Sequence, residues 1–260
     1  MLKQDNIKPV CIFTGASGTL GSAFCERYYR DFNIIAVSRS GRSSAPTQFQ
    51  SYIDPLNPEK TEEHKHSVFS IRANLLDDRD CERIIEVSLA KFGRIDHLIN
   101  AAAQGTWAPM VQFDANVNNA LNQINLNTVV PLKLSNLVAR AFWRERKEEN
   151  ISNNRSILNI SSTAGAKVYP YSGQSVYSAS KAALNFLSIH MAFEFKLFGI
   201  RVNALAPNSF PGIVKTEAVA DCIAEFIRNN VSSTVLTQDQ NGFEDWKIEV
   251  DTSYLKFTED

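Results

Sequence analysis

Seven short apolar runs, at residues 10–13, 34–37, 68–71, 97–99, 156–160, 200–205 and 234–236, alternate along this chain with longer stretches of helical period. Such alternation marks β-α-β units around a parallel sheet, because parallel neighbours need a crossover long enough to hold a helix. The runs are continuously apolar rather than alternating, so helices are expected on both faces of the sheet. Matching stripes occur in the helical stretches. Cys81, Ile84, Ile85, Ser88, Leu89 and Phe92 recur at helical spacing behind a cap at Asp77 or Asp78, and Ala179, Ala182, Ala183, Phe186, Leu187 and His190 do the same. The expected architecture is α/β, three layers deep and doubly wound, with a parallel sheet of about seven strands. With 44 % apolar or aromatic residues among 260 and no visible linker or repeat, a single domain over 1–260 accounts for the chain.

Charge and composition exclude several partners. The 27 Lys and Arg against 28 Asp and Glu give a net charge of -1, and no basic stripe compensates, so nucleic acid is not an expected partner. No apolar run approaches the roughly 18 residues of a membrane span, and the first ten residues lack the apolar core of a secretory signal, which points to a cytoplasmic protein without a membrane partner. Cys11, Cys25, Cys81 and Cys222 have no paired spacing, so buried thiols are expected rather than disulfides or a zinc site. Between residues 40 and 67 the chain is rich in Ser, Pro and charge where a compact unit would carry a helix, and a long, partly mobile connection is expected there. His64 and His66 fall in that stretch and read as solvated loop residues, so no metal site is expected. Residues 144–150 read as the solvated end of a helix, and the chain closes in a polar tail after Asn241.

The first apolar run leads into Thr14-Gly15-Ala16-Ser17-Gly18-Thr19-Leu20-Gly21, followed by a helical face at Leu20, Ala23, Phe24 and Tyr28. A glycine-rich turn between strand and helix lets a diphosphate approach the backbone and meet the free N–H groups and positive dipole of the helix N-terminus. About 20 residues on, where a ribose-binding carboxylate would favour NAD, stand Ser38, Arg39, Ser40, Gly41 and Arg42. Arg39 with these hydroxyl donors suits a 2′-phosphate, which predicts NADP(H) as the preferred cofactor.

Chemistry is concentrated between Ile157 and Lys181. Tyr177 and Lys181 lie four apart in a helical segment and so share a face, and Ser161 and Ser162 end the strand before it. An ammonium beside a phenol stabilises phenolate and draws its pKa from about 10 toward the working range of a general acid/base.

With these residues in view, the sequence resembles the short-chain dehydrogenase/reductase family from about residue 8 to residue 216. The resemblance rests on the glycine turn, the Ser and Tyr-x-x-x-Lys set, Leu98-Ile99-Asn100-Ala101-Ala102-Ala103, and Ile200-Arg201-Val202-Asn203-Ala204-Leu205-Ala206-Pro207, all in the family's order. It implies a Rossmann fold and an NADP(H)-dependent oxidoreductase that interconverts a carbonyl and a secondary alcohol by hydride transfer. Carried over by residue, it implies that Tyr177 exchanges a proton with the substrate oxygen. Lys181 would lower the Tyr177 pKa and hold the nicotinamide ribose, and Ser162 would bond the substrate oxygen. Asn125 would hold a relay water through its helix backbone, with Asn127 as its rival. The implied cofactor contacts are Gly15, Ser17, Gly18, Thr19, Leu20, Ser38, Arg39, Ser40, Asn74, Leu75, Asn100, Ala101, Ala102, Tyr177, Lys181, Pro207, Val214 and Thr216.

Three departures from the family pattern matter. The spacing of Gly15, Gly18 and Gly21 is commoner in the family's extended branch, but that branch needs a further substrate domain for which too few residues follow Pro207. The segment from Pro207 to Pro211-Gly212 reads as though four residues had been inserted. The usual C-terminal glycine pair is missing. Trp107, Tyr169, Tyr171 and Phe210 fall in segments beyond the strand ends, so an apolar or aromatic carbonyl compound is the expected substrate. A redox-neutral dehydratase or epimerase is the runner-up, and a nucleotide-sensing regulator without turnover the alternative from another class. Long apolar helices over 125–143 and 176–198 point to a homodimer or homotetramer.

Overall fold

The computed structural model describes residues 8–49, 51–53, 61–63, 68–111 and 117–250. His64 and His66 lie outside them. The central sheet is built from β1 (Val10–Thr14), β2 (Asn33–Ser38), β5 (Phe69–Arg72), β6 (His97–Asn100), β7 (Ser156–Ile160), β8 (Arg201–Pro207), β9 (Val235–Asp239) and β10 (Gly242–Asp245). Its order is β10-β9-β8-β7-β6-β1-β2-β5, parallel throughout except for β10, which runs antiparallel to β9. All seven runs expected from sequence are parallel strands of this sheet. β10 is an eighth strand in what reads as polar tail, and all four of its residues are exposed.

Successive strand residues point to opposite faces, and this sorts the core in two. Val10 and Ile12 of β1, Ile35 and Val37 of β2 and Leu98 of β6 pack against α2 (Asp78–Phe92), α4 (Val130–Val138) and α6 (Ser175–Lys196). Cys11, Phe13, Ile34, Ala36 and Ile99 pack on the other face against α1 (Thr19–Tyr28) and α7 (Thr216–Arg228). This is the doubly wound, three-layer arrangement. Asp77 caps α2 by accepting the Arg79 N–H, and Gly93 ends it at φ +68°, where a left-handed residue suits the close of a helix. All four cysteines are buried and free.

Two expectations are corrected. The connection after β2 is not structureless: β3 (Ser51–Ile53) and β4 (Thr61–Glu63) form an antiparallel pair, and Thr47 bridges to Val68. Gln48 also anchors this segment to the edge strand, its amide donating to the Ser70 carbonyl (2.9 Å) and accepting the Ser70 N–H (2.7 Å). An amide side chain thus does locally what a further strand would do. The charged run at 144–150 is not wholly solvated either. α5 (Lys147–Ser152) starts within it, Asn150 is fully buried, and Glu149 reaches the buried Arg155.

The helical stretch between β6 and β7 contains α3 (Val117–Ile124) and α4, joined by a π-turn over Asn125–Val129, with a second π-turn at Ala139–Trp143. The hydrogen-bond ladder shifts there by one residue, the Val130 N–H donating to the Asn125 carbonyl. Among the described residues, no helix is long and apolar enough to cross a membrane, and no group of three or more His, Cys, Asp or Glu is placed to hold a metal ion.

His97 sits at the start of β6, buried and sharing a hydrogen bond with Ser156 (2.9 Å). Burial pushes its imidazole down from 6.5 to about 3. Between those values the unfolded chain binds a proton that the folded chain refuses, so stability is lost as pH falls from 6.5 toward 3. In thermal melts, His97→Gln should show a shallower drop in Tm than the parent between about pH 6.5 and 4. Parallel Tm curves would remove His97 from the acid response.

Candidate active site

β1 feeds a turn that needs glycine at two points. Gly15 has φ +77°, and a Cβ on it would lie 2.9 Å from the Ala102 Cα beyond β6. On Gly21 a Cβ would lie 2.5 Å from the Ala16 Cα and from the Gly15 carbonyl oxygen, so α1 packs directly onto the turn. Gly18 donates its N–H to the Gly15 carbonyl (3.0 Å) and precedes α1 with no side-chain cap and no acid in the first turn. The helix end thus keeps its donors and its positive dipole for an anion.

This turn walls a cleft of about 360 Å³ at the carboxyl ends of the central strands, a volume within the range of small-ligand sites (about 300–1,000 Å³). Thirteen of the residues expected at a cofactor line it: Gly15, Ser17, Gly18, Thr19, Leu20, Ser38, Arg39, Asn74, Leu75, Ala101, Ala102, Tyr177 and Lys181. Residues brought together here come from the turn after β1, from α1, β2 and α6, and from the loops after β2, β5 and β6. The glycine cradle, the exposed Arg39 and the absence of any carboxylate from the lining suit an anionic dinucleotide.

Five expected cofactor contacts lie off the lining. Ser40 turns its hydroxyl back on the Arg42 N–H (3.2 Å), shaping the turn after β2. Asn100 is buried and donates its amide to Asn159 (2.9 Å), which in turn donates to Ser188 (2.9 Å), so it ties β6 to β7 and α6. Pro207 ends β8 and pairs with Gln238, Val214 is in the core, and Thr216 is buried at the start of α7. From this stretch it is Phe210 that lines the cleft. The segment after Pro207 is a compact turn, the Ser209 carbonyl accepting from both Ile213 (2.6 Å) and Val214 (3.0 Å).

The other catalytic candidates flank the cleft. Ser162 accepts the Ala164 N–H (3.1 Å) and interacts with the Tyr177 hydroxyl. Asn125 opens the first π-turn without lining the cleft, whereas Leu126 does line it. Asn127 is buried and fully engaged, bonding both backbone groups of Gln104 and the Ser180 hydroxyl. Gln104 and Ser161 also line the cleft and were not singled out by sequence. The legible signal for Gln104 was its place directly after the strand-end alanines.

α6 is pressed against the end of β7 because residue 165 is glycine; a Cβ there would lie 2.6 Å from the Lys181 carbonyl carbon. Lys181 is buried, donates to the Ile160 carbonyl (2.7 Å), and holds its ammonium 5.8 Å from the centre of the Tyr177 ring. Burial brings its pKa down from 10.5 to about 7. Tyr177 is pushed above its ordinary 10 by burial, against a smaller opposing pull from Ser162. Burial thus outweighs any pull of Lys181 on the tyrosine in this arrangement, where one N–H of the ammonium is directed at Ile160. The indole of Trp107 packs on the same tyrosine, with ring centroids 5.5 Å apart at 44°.

Comparison with known proteins agrees with this geometry. The profile of the short chain dehydrogenase family matches residues 9–225. Among curated relatives, a Drosophila melanogaster 3-hydroxyacyl-CoA dehydrogenase type-2 is 26% identical over 205 residues, covering 77% of this chain and 74% of its own. A Thermotoga maritima 3-oxoacyl-[acyl-carrier-protein] reductase is 27% identical over 201 residues, covering 76% and 72%. A solved short chain dehydrogenase from Mycobacterium avium superposes with TM-score 0.73 over 95% of this chain and 88% of that one, and at 19% identity it bears on the fold alone. With a family match across more than four-fifths of its length and the glycine turn, Tyr177 and Lys181 on one cleft, the chain belongs to the short-chain dehydrogenase/reductase family of oxidoreductases, which work with a nicotinamide cofactor on small molecules.

Proposed function

We propose that this protein is an NADP(H)-dependent oxidoreductase interconverting a carbonyl and a secondary alcohol, with Tyr177 as general acid/base. The observation that carries the reading is the placement of Tyr177 and Lys181 on the wall of the cleft that the glycine turn opens. Relatives named as a hydroxyacyl dehydrogenase and an oxoacyl reductase support hydroxyl and carbonyl chemistry.

In this reading Gly15, Ser17, Gly18, Thr19 and Leu20 hold the diphosphate, Asn74 and Leu75 the adenine end, and Lys181 the nicotinamide ribose, with the Tyr177 ring beside it. When bound, the nicotinamide supplies or accepts the hydride. Tyr177 donates its hydroxyl proton to the substrate oxygen in reduction and takes it back in oxidation, while Ser162 bonds the same oxygen. Lys181, with its pKa near neutrality, can hold or release a proton beside the tyrosine. Ser38 shapes the turn after β2 by accepting the Gly41 N–H (3.0 Å), and Arg39 stands exposed at its tip to meet a 2′-phosphate. The reading extends to self-association through the exposed apolar faces of α3 and α6, where Leu121, Ile124, Phe186, Phe193 and Leu197 lie open.

The test is loss of NADPH absorbance with a panel of ketones and aldehydes, alongside cofactor titration of Arg39→Asp. Stoichiometric NADPH consumption is expected, whereas a redox-neutral enzyme would leave the absorbance unchanged. Arg39→Asp should weaken NADPH binding by about 10- to 100-fold, the scale of a lost charge-assisted contact, with little change for NADH. Unchanged NADPH affinity would reject the NADP assignment.

A further inference from the structure

The loop after β6 carries an arrangement that cofactor binding does not use. It is tied down at four backbone positions. Asn127 accepts the Gln104 N–H (2.8 Å) and donates to the Gln104 carbonyl (2.9 Å), Gln123 accepts the Thr106 N–H (2.7 Å), and the Ala108 N–H donates to the Gly173 carbonyl (2.9 Å). Gln123 and Asn127 are both buried, and Gly173 must be glycine for this contact, since at φ +68° its Cβ would lie 3.2 Å from the Ala108 carbonyl carbon. Buried amides are costly to leave unpaired, so Asn127, paired through both its oxygen and its nitrogen, and the Gln123 oxygen anchor this loop at these positions.

What the pinned loop presents is the Trp107 indole. It is 58 % exposed, which is unusual for the largest apolar side chain, and it rests on the tyrosine that the proposed chemistry uses. Phe210 lines the neighbouring cleft from the segment after β8. An open aromatic side chain held against the ring of this tyrosine is a stacking surface, and aromatic pairs in offset or tilted contact gain affinity beyond the area they bury.

We infer that Trp107 is the specificity-determining residue of this site, a platform on which the flat ring of an aryl ketone or aldehyde stacks while its carbonyl faces Tyr177. This rests on the reductase reading for its chemistry but not for its binding. The matched pair acetophenone and cyclohexyl methyl ketone differs mainly in the π face, so it isolates the stacking term.

Both ketones are measured with the parent, Trp107→Phe and Trp107→Leu, by equilibrium dialysis with and without NADP+ and by kcat/KM with NADPH. In dialysis the parent should prefer the aryl ketone by about 3- to 10-fold, the scale of one aromatic contact. Trp107→Phe should keep most of that preference and Trp107→Leu should lose it, with NADPH affinity unchanged in both. Equal affinities in the parent, or an undiminished preference in Trp107→Leu, would overturn the platform. Preferential binding without NADPH consumption would keep the platform and reject the reductase reading. Turnover of both ketones with no aryl preference in binding would do the reverse. The exposure of Trp107 makes a folding defect in the leucine variant easy to separate, since circular dichroism and Tm should match the parent.

Discussion

Tyr177→Phe is expected to lower kcat by roughly 10³-fold while binding NADPH as the parent does, since positioned acid/base groups contribute about 10²- to 10⁴-fold. The substitution removes one oxygen. The phenyl ring keeps its contacts with Trp107 and with the Lys181 ammonium, and α6 keeps its packing against Gly165. Cofactor affinity and Tm should therefore barely move, which separates a chemical defect from a structural one. Because burial raises the Tyr177 pKa, the tyrosine keeps its proton through neutral pH, so an inflection of the reduction rate near 7 would belong to Lys181 and the loss of the Tyr177 proton should show only in strongly alkaline solution. Single-turnover NADPH oxidation with the best carbonyl substrate measures the loss. A phenylalanine variant within about threefold of the parent would remove Tyr177 from the proton transfer.

Asp96→Asn should produce the largest loss of stability. Asp96 is fully buried at the amino end of β6 and accepts from the Val10 N–H (2.8 Å), from two nitrogens of Arg94 (2.8 and 2.7 Å) and from Arg155 (3.1 Å). Burial alone would push the carboxyl up, but these donors overcome it and hold it below the usual carboxylate range. Arg155 is itself fully buried, donating to Asn150 (2.6 Å) and Glu149 (2.5 Å) and lying 4.6 Å over the Phe142 ring. Removing the Asp96 charge leaves the buried Arg155 with Glu149 as its one remaining carboxylate and takes the anion from the Val10 N–H and Arg94 as well; breaking a buried pair typically costs about 3–5 kcal/mol. For a chain of this size that corresponds to a Tm roughly 10 °C lower in a thermal scan. The cluster lies at the opposite end of the strands from the cleft, so NADPH affinity below the melting range should be preserved. A Tm within about 2 °C of the parent would mean that the pair adds no net stability.

The strands and the cleft were legible in the sequence for the same physical reason. A strand covered on both faces is largely apolar, and 10–13 or 34–37 can be little else between stretches of helical period; a diphosphate-binding turn must omit Cβ atoms, and Gly15 and Gly21 announce that. Arg155 was not legible. It lies beyond the charged run at 144–150 and carries no local signal, and its burial depends on Asp96, 59 residues away. The Asn100 amide bond was hidden for a similar reason: its partner Asn159 lies on the adjacent strand, so nothing local says whether the amide faces a ligand or the next strand. The antiparallel β10 has no apolar alternation, and only its register with β9 makes it a strand. Trp107 was visible as an aromatic beyond a strand end, but the buried amides that anchor its loop were not: Gln123 carries no local signal, and Asn127 reads as a rival of Asn125 for a relay water.

The strand order carries a consequence for how the chain acquires its site. β1 is central, and its pairing with β6 joins Cys11 to His97 across most of the first hundred residues. Long-range parallel pairing closes late, because the loop entropy is lost before the contact is gained. The Gly15 turn rests against Ala102, immediately past that pairing, so the diphosphate cradle, though bonded within itself, lacks one wall until β6 has docked. Helix content can return early in refolding, but the ability to hold a nucleotide arrives only with closure of the sheet. Recovery of binding thus marks completion of the whole fold rather than of its first β-α-β unit.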